Sequence, residues 1–216
     1  NILTKPQRPL VAIVGGSKVS TKIDLLNNLI HKVDTLIIGG GMANTFLLAQ
    51  GFFIGASLAE HALKDSALNI LNSAEKAGCS ILLPTDVVVA KELNVNVESF
   101  VVPVNECPED TMILDVGPQT VERIKQSLLN TETLVWNGPL GAFEIEPFDR
   151  ATTDLANFVS KLSDNNKLVS IAGGGDTLAA LKNAEASNGF SYLSTAGGAF
   201  LEWMEGKKLP GITALQ

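Results

Sequence analysis

The run Gly15-Gly16-Ser17-Lys18-Val19-Ser20-Thr21-Lys22 places two ammonium groups four residues apart, directly behind a pair of glycines. Residues at that spacing share one helix face, and lysines in a first helical turn oppose the macrodipole. Stability alone would not put them there. The pattern points to an anionic partner, such as a phosphoryl group in flight, whose spread negative charge is stabilised by nearby cations. The alternative is a pair of solvated surface lysines. A second run, Gly173-Gly174-Gly175-Asp176-Thr177, precedes a helical stretch from Leu178 to Ala186. Asp176 reads two ways. It is either an N-cap or a ligand for Mg2+, which takes one or two carboxylates together with phosphate oxygens and water. A third stretch runs from Trp136 to Glu144. It offers an amide (Asn137) for phosphate, apolar walls for a base and a carboxylate (Glu144) for ribose hydroxyls.

These groups need a scaffold that brings them to one edge. Short apolar runs recur at Leu10–Val14, Thr35–Ile38, Ser80–Leu83, Met112–Asp115, Thr133–Trp136, Leu168–Ala172 and Tyr192–Thr195. Most end in glycine: Gly15-Gly16, Gly39-Gly40-Gly41, Gly117, Gly138, Gly173-Gly174-Gly175 and Gly197-Gly198. Strands without polar alternation are buried on both faces, and alternation with helices predicts a doubly wound, mainly parallel α/β sheet, Rossmann-like, with helices on both faces. Its C-terminal strand ends would line one crevice, where backbone N–H groups of glycine can approach an anion closely.

In the first helix, Val19, Ile23, Leu26 and Ile30 form an apolar stripe, with both lysines in its opening turn. A helix near residues 58–77 takes Ser57 as N-cap and Gly78 as C′. Pro118 opens another, with Val121, Ile124 and Leu128 buried. The valine-rich stretch Asp86 to Val104 reads as one or two irregular or antiparallel strands.

Composition narrows the function classes. A net charge of −7 over 216 residues opposes broad affinity for nucleic acid or anionic lipid. With only Arg8, Arg123 and Arg150, no arginine cluster is available to clamp a free phosphorylated acid. Cys79, Cys107, His31 and His61 show no metal-ligand spacing. No apolar run reaches membrane-spanning length, and the expectation is a cytoplasmic monomer. Neither the P-loop pattern nor G-x-G-x-x-G is completed anywhere, so a nucleotide site here is of another design.

In order, Val14 to Lys22, Gly39-Gly40-Gly41-Met42-Ala43, Trp136-Asn137-Gly138-Pro139, Gly173 to Thr177 and Ser194-Thr195-Ala196-Gly197-Gly198 closely resemble the C-terminal half of phosphoglycerate kinases. That resemblance covers essentially the whole chain. It implies reversible transfer of the acyl phosphate of 1,3-bisphosphoglycerate to Mg-ADP, giving 3-phosphoglycerate and ATP, between two domains that close on each other. It further implies that residues 10–216 form the nucleotide-binding domain, that residues 1–9 are the remnant of a connector, and that the domain receiving phosphoglycerate is absent. Such a chain binds ADP or ATP but turns over poorly. By the same resemblance, Lys22, with Lys18 nearby, contacts the phosphates and the migrating phosphoryl group. Gly174, Gly175 and Thr177 hold phosphates and Asp176 holds Mg2+. Gly39, Gly40, Leu114 and Pro139 flank base and sugar, Asn137 touches a phosphate and Glu144 the ribose. Gly15 and Gly16 belong to the nucleotide-binding set, and Gly197 and Gly198, at the start of the last helix, help cradle the migrating group. Ala196 stands where the family has a third glycine. Competing readings are a dinucleotide-dependent oxidoreductase domain, which needs an acid at the end of the second strand, and a non-catalytic nucleotide-binding module.

Overall fold

Leu10–Val14 carries no polar side chain, so a strand built from it has to be covered on both faces. In the computed structural model, which describes residues 5–195 and 197–207, this strand, β1, is buried at all its positions. The other strands are β2 (Thr35–Ile38), β3 (Ser80–Leu82), β4 (Asp86–Ala90), β5 (Ser99–Pro103), β6 (Met112–Val116), β7 (Thr133–Asn137), β8 (Val169–Gly173) and β9 (Tyr192–Ser194). Six of them form one sheet in the order β3-β2-β1-β7-β8-β9, parallel throughout.

Alternate side chains serve opposite layers. Leu10, Ala12 and Val14 face α1 (Ile23–Leu29), α2 (Gly40–Ala49), α3 (Lys64–Ala77) and α7 (Gly197–Met204), meeting Leu26, Phe46, Ile70 and Phe200. Val11 and Ile13 face α4 (Pro118–Leu128), α5 (Arg150–Asp164) and α6 (Gly175–Asn183), meeting Ile124, Leu155 and Leu181. The sheet is doubly wound as the pattern predicts, and its winding reverses between β1 and β7. That reversal is where an open α/β sheet leaves a crevice.

Three local expectations need correction. Met112–Val116 does not join the parallel sheet; β6 pairs antiparallel with β4, which also pairs antiparallel with β5, in a separate sheet of order β5-β4-β6. The connection from β5 to β6 runs through the 3-10 turn Val104–Glu106, and β4 lies between the two as their shared antiparallel neighbour. The antiparallel reading of Asp86 to Val104 holds.

The helix after Ser57 begins at Lys64, behind a 3-10 turn at His61–Leu63. Ser57 is not its cap: the Ser57 hydroxyl donates to the Ile54 carbonyl and accepts the Ile113 N–H at 2.8 Å. Gly78 ends the helix in the left-handed conformation, φ 73°. The lysine-bearing helix is broken. Val19–Thr21 is a 3-10 turn and α1 starts only at Ile23, with Lys22 at its N-cap, φ −133°.

Candidate functional site at the sheet reversal

The crevice is built on close backbone contacts between β1 and β7. The Gly15 N–H donates to the Asn137 carbonyl at 2.9 Å, and a Cβ on Gly15 would overlap the Pro139 carbonyl. Lys22 then reaches back across this seam. Its Nζ donates to the Gly15 carbonyl at 2.6 Å and to Asn137 Oδ1 at 2.7 Å. An ammonium has three N–H donors, so one is left for a ligand. Burial strips water from the charge and lowers the Lys22 pKa to about 8, against a smaller opposing pull from the Asp176 carboxylate. The same Lys22 stands at the N-cap of α1, where the 3-10 turn ends and the helix begins.

Asn137 is fixed at both ends of its amide, since Nδ2 donates to the Gly173 carbonyl at 2.8 Å. Its neighbour Gly138 donates its N–H to Thr177 Oγ1 at 2.7 Å. Gly174 sits at the N-cap of α6 with φ 99°, and a Cβ there would lie 2.6 Å from Asn137 Nδ2, so backbone strain and space both demand glycine. Because α6 begins at Gly175, three residues earlier than its pattern predicts, Asp176 lies inside the first turn and does not cap it. First-turn N–H groups have no partner within their helix, and those of α6 face the same crevice as Lys22.

Two cavities meet here. One of about 270 Å³ is lined by Lys22, Asn137, Gly174, Gly175 and Thr177. The other, about 360 Å³, is walled by Gly16, Gly40, Met112, Leu114, Pro139, Phe143 and Glu144. Asp176 lines both. The first brings the Lys22 ammonium together with the Asp176 and Glu205 carboxylates; the second is a mainly apolar slot of the size that takes a small organic ring system.

The other predicted residues fall around these walls. Gly15 and Gly39 close the strand ends behind the cavities: the Gly39 N–H donates to Val14 O at 3.0 Å, and Gly40 donates to Leu140 O at 2.9 Å. All three amides are spent inside the protein and cannot serve an anion. Lys18 is exposed on the 3-10 turn, outside both linings. Gly197 begins α7 and Gly198 follows it; Ala196 lies outside the described residues. Sequence reasoning missed Leu201 and Glu205, which line the phosphate-sized cavity, and Met112 and Phe143 in the apolar one. Signals existed for both pairs. Leu201 lies on the helix that Gly197 opens and Glu205 directly follows its end, and Met112 stands two before Leu114 on the same strand face.

The family model for phosphoglycerate kinase matches residues 1–207. The phosphoglycerate kinase of Chelativorans sp. is 59% identical over 214 residues, covering 99% of this chain and 54% of that protein. That of Zymomonas mobilis is also 59% identical, with the same coverage. The solved phosphoglycerate kinase of Coxiella burnetii superposes with a TM-score of 0.92 at 50% identity, over 98% of this chain and 54% of that one. For the Pyrococcus horikoshii enzyme the TM-score is 0.73 at 26% identity, over 98% of this chain and 53% of that one. The chain thus spans about half the length of the relatives it matches, and on this match of sequence and fold it belongs to the phosphoglycerate kinase family.

Proposed function

We propose that this chain is the nucleotide-binding half of a cytoplasmic glycolytic phosphoglycerate kinase. It holds Mg-ADP or Mg-ATP while the acyl phosphate of 1,3-bisphosphoglycerate moves to ADP, leaving 3-phosphoglycerate. One observation carries this reading. A half-buried ammonium, a fixed amide and the N-terminus of α6 converge on one cavity that joins an apolar slot at Asp176.

Phosphoryl transfer asks the protein for position and charge more than for covalent chemistry. The polyphosphate lies against the first turn of α6, where partial positive charge and open N–H groups favour anions. Lys22 turns its remaining N–H to the migrating group, and the Asn137 and Gly15 acceptors hold the ammonium in place throughout. The base enters the apolar slot beside Leu114 and Pro139, and Glu144 takes the ribose hydroxyls. Asp176 fits a magnesium ion carried by the phosphates: it is an exposed carboxylate at the junction of both cavities, and one carboxylate suffices when phosphate oxygens and water complete the shell. The ion would neutralise charge on those oxygens. The acyl phosphate is delivered by the other half of the enzyme, so the isolated chain binds nucleotide without efficient turnover.

A dinucleotide reading has no support, because β2 runs Ile37-Ile38 into Gly39 without an acid for the ribose. Calorimetry of the chain with Mg-ADP tests the proposal. Saturable binding is expected, and its absence at millimolar nucleotide rejects the reading.

A further inference from the structure

The turn between the two lysines is tied by one side chain of its own, Thr21 Oγ1 donating to the Lys18 carbonyl at 2.9 Å, but its N-terminal N–H groups are not capped from within. Lys18, at the N-cap of Val19–Thr21, makes no capping bond. The cap comes instead from Glu60, forty positions along the chain. Its Oε2 accepts the Ser20 N–H at 2.9 Å and its Oε1 accepts the Ser20 hydroxyl at 2.5 Å. A carboxylate at a helical N-terminus satisfies open N–H groups and complements their partial charge.

Glu60 is itself anchored. Its N–H donates to Oγ1 of Thr45, a fully buried residue of α2, at 3.0 Å. Next along α2, Asn44 Nδ2 donates to the Leu58 carbonyl in the same loop at 3.1 Å. From the other side, the Met42 N–H donates to the Gly16 carbonyl at 3.0 Å. The loop before α3 is therefore tied twice to α2 and lends its carboxylate to the lysine turn. Charge balance with Lys18 does not account for this arrangement. No ion pair joins Lys18 to Glu60 among the described residues, and the Ser20 bonds are what chiefly hold the Glu60 carboxyl below its ordinary pKa.

We infer that Glu60 is a positioning residue: through Ser20 it fixes the turn from which Lys22 reaches the Gly15 carbonyl and Asn137, and so sets affinity for the phosphates and not for the base. This rests on the nucleotide-binding reading above. Among the described residues no bond joins Glu60 to either cavity lining, so its effect on the ligand passes through the turn.

The test compares Mg-ADP with adenosine, which lacks phosphates, by calorimetry on the 216-residue chain. Glu60→Ala is expected to weaken Mg-ADP by about tenfold and leave adenosine unchanged. Glu60→Gln, whose amide oxygen can still accept one Ser20 bond, loses less. Ser20→Ala weakens Mg-ADP in the same selective way, and adding Glu60→Ala to it costs little more, as for two partners in one interaction. Thermal unfolding of each variant confirms that the chain is folded. The inference is overturned if both ligands weaken equally, if Mg-ADP affinity does not change, or if it rises because Glu60 merely competes for Lys18. A wild-type chain that binds neither ligand rejects the nucleotide reading itself, and this inference with it.

Discussion

Desolvation lowers the Lys22 pKa to about 8, and on the proposed function this gives nucleotide binding a pH dependence of definite sign. Bound phosphate favours the ammonium and raises its pKa in the complex. Affinity for Mg-ADP is therefore expected to stay level below about pH 8 and to fall above it, by up to about tenfold per pH unit. Calorimetry from neutral to alkaline pH checks this, and Lys22→Met should bind more weakly with the pH dependence gone. The same shift acts on folding. Between about 8 and the ordinary lysine value of 10.5, the unfolded chain holds more protons than the folded one, so stability rises with pH across that window. Asp176 gives a different signature. Asp176→Asn should weaken Mg-ADP by roughly tenfold and leave metal-free ADP, measured in excess chelator, nearly unaffected. Equal losses with and without magnesium would exclude metal binding by this carboxylate.

Helix α4 depends on an acid from another element. The buried Asp86 carboxylate on β4 accepts the N–H groups of Gln119 and Thr120 at 2.9 and 2.7 Å, and the Thr120 hydroxyl at 2.6 Å. Pro118 supplies the start that the sequence shows, but Asp86 supplies the cap. Asp86→Ala is expected to destabilise the fold by about 1–3 kcal/mol, since it orphans buried donors. Denaturant unfolding reads that directly. Ile124→Ala, which opens the core between α4 and the sheet, should cost about 2–5 kcal/mol without changing the seat of nucleotide binding. Local signals named Pro118 and Gly78 correctly because proline at N1 and a left-handed glycine act within one turn of chain. Ser57 misled because a serine before a helical pattern can equally bond outside it, as this one does with Ile113.

At the level of the molecule, the sheet reversal gathers Lys22, Asn137 and Asp176 around one cavity, and the three-stranded sheet supplies one wall of the apolar slot through Met112 and Leu114. The chain spans about half its relatives' length, and on the proposed function it holds the nucleotide alone. The purified chain should bind Mg-ADP but form ATP from 1,3-bisphosphoglycerate at least about a thousandfold more slowly than an intact relative, because the positioning of the second substrate is missing. A coupled assay at matched protein concentration decides this, and robust turnover would place the whole active site within these residues.

Glycine-ended apolar runs, read by themselves, settle the doubly wound architecture and the edge where the ligand groups collect, because strand burial and strand-to-helix turns are local properties of residue type. Lys22 and Asp176 stood out on the same grounds. What they do not encode locally is who meets whom. Lys22 finds Asn137 across 115 positions, Ser20 finds Glu60 across forty, and β6 leaves the main sheet for β4. Each of those pairings depends on strand order and on which loops can close. Only the assembled sheet turns two conspicuous lysines into one half-buried cation facing a cavity and one exposed cation outside it.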